Sequence, residues 1–325
     1  MDAVDQVILN KIQVAFPLAL RPYQLIGEEA GITENEAWHR VTALRKKGII
    51  RRIGGIFDSR SLGYVSTLCA AEVPEAKIPI LSELMQGITE ITHNYLRNHP
   101  KYNLWFTIIA ESQERLEEVL AIVKAALVSN EVYNLPAIEV FKIGVLFSLG
   151  SESMVNPNSG YTIPKQFPKY ILSEKDKALI KLLQDDLPTS LCPFSDLAKE
   201  LGMDERSVIA NTQLFLDNSV MRRLGAILVH RKAGFTSNAM GVWIVPEEKV
   251  SEIGPKMAEF QEVSHCYQRP ALPDWPYNLF TMIHGHSDQE CQQIMASISE
   301  VTEVKDYALL FSYKELKKSS MRYFT

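Results

Sequence analysis

The chain has 325 residues, 46% of them hydrophobic and 22% charged, which is typical of a soluble globular protein with several domains. Its net charge of −5 provides no overall attraction to nucleic acid or to an anionic membrane surface. Without a signal peptide, a long apolar run or a C-x-x-C pair among its four cysteines, it is predicted to be cytoplasmic, with no membrane association, disulfide framework or structural zinc site.

Residues 4–57 show the pattern of a small DNA-binding fold. Three short helical patterns are followed by Ile49–Phe57, whose glycines we interpret as the bend of a β-hairpin. Thr33 and Glu36 form a capping-box signature at the start of the third helix, and Gly48 follows that helix as its expected C′ residue. Three helices and a hairpin predict a winged helix-turn-helix domain.

The next segment alternates between strand and helix patterns. Strands are predicted at 64–73, 90–95, 104–110 and 137–145, and helices at 78–86 and 112–127. This β-α-β-β-α-β order is that of a ferredoxin-like domain.

The second half of the chain repeats the first. Pro17 and Pro188 are 171 residues apart (188 − 17), and Gly31 and Gly202 have the same separation (202 − 31). We therefore predict an α+β protein made by tandem duplication of a winged helix-turn-helix and a ferredoxin-like (βαββαβ) domain. The predicted winged domains are 1–60 and 173–232, the ferredoxin-like domains are 61–148 and 233–325, and the linker is 149–172. We expect the two halves to pair within one chain, with a homodimer as the alternative.

A polar motif also occurs twice. In the first copy, His93, Tyr95 and Arg97 precede Tyr102-Asn103-Leu104. In the second, His265-x-Tyr267-x-Arg269 precedes Tyr277-Asn278-Leu279, with three additional residues before the tyrosine. Spacing of i, i+2 and i+4 places His, Tyr and Arg on one face of a strand. That face offers a proton-transfer group or metal ligand, a phenol and a guanidinium suited to carboxylates.

The two helix-turn-helix patterns differ in charge. The first recognition-helix candidate, 38–47, retains basic residues, whereas its counterpart, 209–218, has none. Lys+Arg minus Asp+Glu is 8 − 6 = +2 for residues 1–57 and 8 − 9 = −1 for residues 173–231. Because a symmetric DNA-binding protein needs two matched basic modules, we do not expect specific DNA binding.

A winged helix-turn-helix followed by a ferredoxin-like domain resembles the leucine-responsive transcription regulators. Within that architecture, the motifs His-x-Tyr-x-Arg…Tyr-Asn-Leu-Trp-Phe and His-x-Tyr-x-Arg-Pro…Trp-Pro-Tyr-Asn-Leu-Phe resemble those of the two subunits of siroheme decarboxylases, here fused. The resemblance implies a carbon–carbon lyase that removes carbon dioxide from two acetate side chains of siroheme, giving didecarboxysiroheme on a route to haem or haem d1. It also implies an active site between the ferredoxin-like domains and no cofactor beyond the iron of the tetrapyrrole substrate.

The chemistry of such a decarboxylation gives four residues of the repeated motif candidate catalytic roles. His93 and His265 have two alternative roles, as an acid that protonates the macrocycle or as an axial ligand of the siroheme iron. Tyr95 and Tyr267 are expected to relay a proton or to bind a carboxylate.

Other residues are predicted to bind the substrate. Arg97 and Arg269 suit the carboxylates that do not leave. Trp275 lies in a proline-rich loop, where we expect an apolar wall for the macrocycle rather than core packing. The remaining candidates are Arg51, Arg52, Arg222, Arg223, Tyr102, Asn103, Trp105, Tyr277 and Asn278. The alternative for the asparagines is to hold the local turn, and the alternative for the four wing arginines is solvated surface charge.

The rival functional hypothesis is a transcription regulator whose ferredoxin-like domains sense a ligand such as haem.

His284 and His286 alternate at a predicted strand end, and the first copy has no comparable pair. No P-loop, dinucleotide fingerprint or nucleophile elbow occurs in the sequence, so nucleotide and serine-hydrolase chemistry have no support.

Overall fold

The structure is a computed structural model that describes residues 1–127, 132–144, 170–229 and 237–325. It divides into two compact units, one of residues 1–62, 146–234 and 322–325 and the other of residues 63–145 and 235–321. Most of the predicted linker, from 149 to 169, lies outside the described residues, as do residues 230–232 of the second predicted winged domain. The domain bounds stay predictions from the sequence.

Helices and strands follow the same order in both halves of the chain. The first half forms α1 (Ala3–Val14), α2 (Pro22–Ala30), α3 (Glu34–Lys46), β1 (Ile50–Phe57), β2 (Val65–Ala71), α4 (Ile78–Gly87), β3 (Ile91–Arg97), β4 (Leu104–Ala110), α5 (Gln113–Leu127), β5 (Val132–Pro136) and β6 (Glu139–Ile143). The second half forms α6 (Glu174–Leu183), α7 (Pro193–Leu201), α8 (Glu205–Asp217), β7 (Met221–Leu228), β8 (Ser237–Trp243), α9 (Val250–Glu259), β9 (Val263–Gln268), β10 (Leu279–Gly285), α10 (Asp288–Thr302) and β11 (Tyr307–Lys318). Helices and antiparallel sheets thus recur in one pattern, and the predicted α+β duplication is confirmed.

Local sequence determines where α3 begins and ends. The Thr33 hydroxyl accepts a hydrogen bond from the Glu36 amide at 3.2 Å, which satisfies a donor at the helix start. Gly48 has φ of 65°, the left-handed conformation that glycine adopts at no steric cost. Both predicted ends of the helix are confirmed.

The hairpin predicted for the first winged domain is wrong. The strand β1 is continuous and pairs antiparallel with β7 of the other half, with Gly54 opposite Gly225. A Cβ on Gly54 would collide with the main-chain oxygen of Asp185, and one on Gly225 would lie 2.7 Å from the oxygen of Ile12. The glycines therefore allow the end of a helix from the opposite half to approach each strand.

The two halves also exchange main-chain hydrogen bonds within this unit. Phe16 donates to the carbonyl of Leu224 at 2.8 Å, and Leu187 donates to the carbonyl of Ile53 at 2.7 Å. Each bond joins the segment after the first helix of one half to the strand of the other half. The predicted pairing of the halves within one chain is confirmed here.

The second unit contains a sheet in the order β5-β2-β4-β3-β11-β8-β10-β9-β6. The end of each half pairs with strands of both halves, as one strand in the second half and as two strands in the first. In β11, Tyr307–Phe311 pair with β8 and the remainder pairs with β3 of the first half. In the first half β5 pairs with β2, whereas β6 pairs with β9. The strand predicted at 137–145 corresponds to β6, and the preceding strand β5 was not predicted.

Helices cover one face of this sheet, and the opposite face forms an inner core shared by both halves. The helix-facing cores contain residues of α4 and α5 in one half and of α9 and α10 in the other. The inner core consists of Ala70, Tyr102, Trp105, Leu135, Met240, Val242, Trp275, Phe280 and Leu310. Among the described residues, no helix is long and apolar enough to cross a membrane.

Candidate active site

The first His-Tyr-Arg motif lies on the inner face of β3. Tyr95 is directly opposite Trp105 of β4, which belongs to the inner core. The neighbouring Asn94 instead contacts a methionine of α4 on the helix-covered face. Because side chains alternate along a strand, His93 and Arg97 lie on the inner face with Tyr95, as the spacing predicts.

The three side chains of each motif form a column. The rings of His93 and Tyr95 are stacked with their centroids 6.4 Å apart, and the guanidinium of Arg97 lies 5.6 Å from the centre of the Tyr95 ring. The corresponding distances in the second motif are 6.0 Å and 4.8 Å. The same geometry therefore occurs twice, with an imidazole at one end and a cation at the other.

A β-bulge precedes each motif histidine. The strand register shifts at Thr92 in β3 and at Ser264 in β9, a feature that re-aims side chains next to active sites. The Thr92 hydroxyl lies 3.0 Å from Nδ1 of His93, and the Ser264 hydroxyl lies 2.9 Å from Nδ1 of His265. Sequence reasoning missed both residues, although a hydroxyl residue immediately before each histidine was the available signal.

The motif arginines are buried and lack a carboxylate partner among the described residues. Arg97 and Arg269 are only 4% and 9% exposed. Arg97 donates to the carbonyl of Leu310 in β11 at 2.9 Å, and Arg269 donates to the carbonyl of Leu135 in β5, so each bonds to a strand of the opposite half. Burial lowers the pKa of each guanidinium to about 10, and the Nε of each has no hydrogen-bond partner in the described structure. A buried cation without a counter-ion is costly, so both side chains are suited to bind an anion.

The asparagines after the motifs are occupied by the main chain. Asn103 accepts a hydrogen bond from the amide of Val73 at 2.9 Å and donates to its carbonyl at 2.8 Å. Asn278 makes the same two bonds with Val245, at 2.9 and 2.8 Å. Because both ends of each amide are used, the structure favours the local structural role over the predicted binding of substrate.

The predicted aromatic wall residues lie in the inner core. Trp105 and Trp275 are each 1% exposed, and their ring centroids are 5.2 Å apart. The expectation that Trp275 lies outside the core is wrong, because two main-chain hydrogen bonds with Leu272, of 2.8 and 2.9 Å, turn the proline-rich loop inward. Trp275 also contacts Tyr102 and Tyr277, at 5.7 and 4.9 Å between ring centroids. Its Nε1 has no hydrogen-bond partner among the described residues.

The four wing arginines belong to the first unit: Arg51, Arg52, Arg222 and Arg223. Arg222 donates to the carbonyl of Phe57 at 3.0 Å, and Arg223 donates to that of Gln13. Arg52 donates to a carbonyl of its own strand at 3.4 Å. These bonds give three of the arginines a structural role, and their binding of substrate stays a prediction.

Two basic residues of the recognition helix α3 are also engaged. Arg40 contacts the carboxylates of Asp2, Asp5 and Glu36 at 2.8 to 3.0 Å. These hydrogen-bonded carboxylates raise the pKa of Arg40. Arg45 contacts Asp186 of the other half at 3.1 Å. These contacts reduce the positive charge that α3 can offer to phosphate, and the absence of specific DNA binding stays a prediction.

Metal-binding groups are not clustered in the part of the chain that the structure describes. No set of three or more His, Cys, Asp or Glu side chains there has an arrangement that would hold a metal ion. The role of His93 or His265 as an axial ligand would instead require an iron atom that the substrate itself supplies.

Two protein families match the chain, each in both halves. The AsnC-like ligand binding domain matches residues 61–142 and 232–317. The siroheme decarboxylase NirDL-like HTH domain matches residues 5–51 and 176–222. The domain types are therefore those of the predicted duplication.

Individual relatives agree with the two family matches. A siroheme decarboxylase of Hydrogenobacter thermophilus is 36% identical over 319 residues, covering 98% of this chain and 94% of the relative. A siroheme decarboxylase beta subunit of Methanosarcina barkeri is 44% identical over 151 residues, covering 46% of this chain and 99% of the relative. The crystal structure of the siroheme decarboxylase NirDL in co-complex with an iron-uroporphyrin III analogue matches with a TM-score of 0.75 and 30% identity, covering 99% of this chain and 95% of that one. The chain belongs to the siroheme decarboxylase family.

Proposed function

We propose that this protein is a siroheme decarboxylase, a carbon–carbon lyase that removes carbon dioxide from two acetate side chains of siroheme to give didecarboxysiroheme. The observation that carries the proposal is the pair of buried arginines, Arg97 and Arg269, which lack a carboxylate partner among the described residues. Each lies in a column with a tyrosine and a histidine. Siroheme is a flat macrocycle with several carboxylates, which matches buried cations beside aromatic rings.

The decarboxylation requires a proton donor, and the histidines are candidates for it. Loss of carbon dioxide from an acetate on a pyrrole leaves an electron pair that the ring must accept, and protonation of the macrocycle makes the ring an electron sink. His93 and His265 have side chains whose ordinary pKa suits such proton transfer near neutrality. Each has two candidate roles in this proposal, as the acid or as an axial ligand of the substrate iron.

The arginines are assigned to positioning. A strong ion pair with the departing carboxylate would stabilise the ground state rather than the transition state, so Arg97 and Arg269 hold carboxylates that remain. Tyr95 and Tyr267 relay a proton or bind a carboxylate, and Trp105 and the neighbouring inner-core rings form apolar walls. The proposal includes a cytoplasmic location, a product for haem or haem d1 synthesis, and no cofactor beyond the substrate iron.

A ligand-sensing transcription regulator has less support. Arg40 and Arg45 of α3 are held by carboxylates of the protein, and the second recognition helix carries no basic residue between 209 and 218. Binding to DNA also offers no reason for two buried arginines beside histidines in the ferredoxin-like domains. A regulator would bind an operator tightly, with an affinity that falls steeply as salt rises.

The test is anaerobic incubation of the purified chain with siroheme under reducing conditions, followed by mass spectrometry of the tetrapyrrole. We expect a mass decrease of two carbon dioxide units, and none with the double variant His93→Ala/His265→Ala. The single variants should lose activity unequally, because the three additional residues near the second motif make the two sites different. An unchanged tetrapyrrole mass with the native chain would refute the proposed activity.

A further inference from the structure

The surroundings of His265 include a second histidine. The Ser264 hydroxyl lies 2.9 Å from Nδ1 of His265 and 2.9 Å from Nε2 of His284. It also donates a hydrogen bond to the carbonyl of Met282 at 3.2 Å. One hydroxyl thus connects the motif histidine, a neighbouring imidazole and the backbone of β10.

Among the described residues of the first half, no second imidazole occupies the matching position. His284 donates its main-chain N–H to the carbonyl of Glu262 at 3.2 Å, and Ile109 makes the matching bond to Glu90 at 2.9 Å. Ile109 therefore occupies the position in β4 that His284 occupies in β10. An apolar side chain there leaves the hydroxyl of Thr92 without an imidazole neighbour at that position.

The three contacts of Ser264 limit which proton positions on the two rings can satisfy all of them. A serine hydroxyl has one hydrogen to donate and two lone pairs to accept with. The carbonyl of Met282 can only accept, so its contact with Ser264 is a hydrogen bond when the hydroxyl hydrogen points to it, and each imidazole nitrogen that faces Ser264 then carries an N–H. His265 then donates from Nδ1 and His284 from Nε2. In the neutral ring of His265, the lone pair is left on Nε2.

We infer that Ser264 and His284 are positioning residues that hold His265 in its Nδ1–H tautomer, with Nε2 as the acceptor atom. An imidazole that accepts a proton or binds a metal through Nε2 needs its other nitrogen oriented by such a partner. Because the first half has Ile109 instead, the constraint belongs to the second half and makes the two motifs chemically unequal. The tautomer itself is independent of the proposed function, and only the kinetic part of the test below rests on that function.

The tautomer is tested by NMR of the full chain with ¹⁵N-labelled histidine, without substrate, at a pH where the imidazoles are neutral. Long-range ¹H–¹⁵N correlations distinguish the two tautomers, and the His265→Gln variant assigns the resonances. We expect the Nδ1–H pattern for His265, its loss in Ser264→Ala, and its retention in Thr92→Ala, the matched change in the first half. A proton on Nε2 of native His265, or an unchanged pattern in Ser264→Ala, overturns the inference.

The contribution of His284 is tested with two variants. His284→Ile introduces the residue found at the matched position, and His284→Gln keeps an N–H donor toward Ser264. We expect a smaller Nδ1–H population at His265 in the isoleucine variant and its recovery in the glutamine variant. A native pattern in His284→Ile overturns the assignment of His284.

Turnover of siroheme supplies the kinetic readout. In His284→Ile we expect kcat to fall about ten- to a hundredfold, as when an orienting partner of a ligating histidine is removed, with KM little changed and partial rescue in His284→Gln. An altered tautomer with native kcat would overturn the positioning role. If the native chain does not decarboxylate siroheme, the proposed function fails, whereas the NMR result is decided separately.

Discussion

Arg97 and Arg269 are the residues that fit the apolar inner core least and the proposed substrate best. Burial lowers the pKa of each to about 10, because the charged form loses its water. The folded pKa is below the unfolded one, so the buried charge lowers the free energy of unfolding at every pH below about 10. This loss of stability becomes smaller as the pH rises through that value. A residue retained at this cost is expected to serve binding rather than stability.

Replacing either arginine should therefore separate stability from binding. We expect Arg97→Met and Arg269→Met to unfold no more easily than the native chain, with a gain of up to about 1–4 kcal/mol. Affinity for siroheme should fall about ten- to a hundredfold, because a charge-assisted hydrogen bond is lost. Thermal unfolding and absorbance titration measure the two effects. Arg115→Met, at a half-buried ion pair with Glu90, is the control, and native affinity in both buried variants would contradict the role.

The asparagines should show the opposite pattern. Asn103→Ala and Asn278→Ala leave the amide and carbonyl of Val73 or Val245 without their side-chain partner. We expect each variant to lose about 1–3 kcal/mol in the free energy of unfolding, measured in urea. The siroheme affinity of the folded fraction should remain native. A large loss of siroheme affinity without a decrease in the free energy of unfolding would instead support the predicted role in substrate binding.

The site residues that depend on regular strand spacing could be predicted from the sequence, whereas those that depend on a bulge or on a distant partner could not. His93, Tyr95 and Arg97 share a face because strand side chains alternate. Thr92 could not be placed, because a bulge inserts a residue that a regular alternation does not show. The role of Asn103 depended on Val73, a partner 30 residues away.

At the scale of elements, the sequence predicted which segments form strands but not which strands they pair with. Alternating or apolar patterns predict a strand wherever one face is buried, and they carry no information about its partner. The strand β1 was therefore predicted to fold back on itself, whereas it pairs with β7 of the other half. Adjacent glycines indicate a turn in isolation, yet the same missing side chain permits close approach of another backbone.

The glycines of these strands give a prediction at this scale. We expect Gly54→Ala and Gly225→Ala to destabilise the chain by about 1–3 kcal/mol, because each Cβ would meet main-chain oxygens that cannot move aside easily. Gly87→Ala, at the end of α4, is the matched control, because its Cβ would meet nothing within 4 Å and alanine favours a helix. Urea unfolding compares the three variants, and equal stabilities would contradict the close approach.

For the whole molecule, the two halves are interlocked rather than merely joined in sequence. The strands β1 and β7 pair across the halves in one unit, and in the other β11 pairs with β3 and β6 pairs with β9. A half on its own would expose these strand edges, which are sites of unwanted pairing and aggregation. The half-length beta subunit of Methanosarcina barkeri, which matches 46% of this chain, is consistent with halves encoded separately.

The covalent connection between the halves should therefore be dispensable when both are present. We expect residues 1–150 and 165–325, co-expressed as two chains, to purify together and to retain the siroheme decarboxylase activity proposed for the intact chain. Expressed alone, neither should show a single cooperative unfolding transition, because its exchanged strands lack their partners. Size-exclusion chromatography shows whether the two chains purify together, and urea unfolding shows whether each preparation unfolds cooperatively. A first half that unfolds cooperatively as a monomer would mean that the exchanged ladders contribute little, and that each half stabilises its own fold.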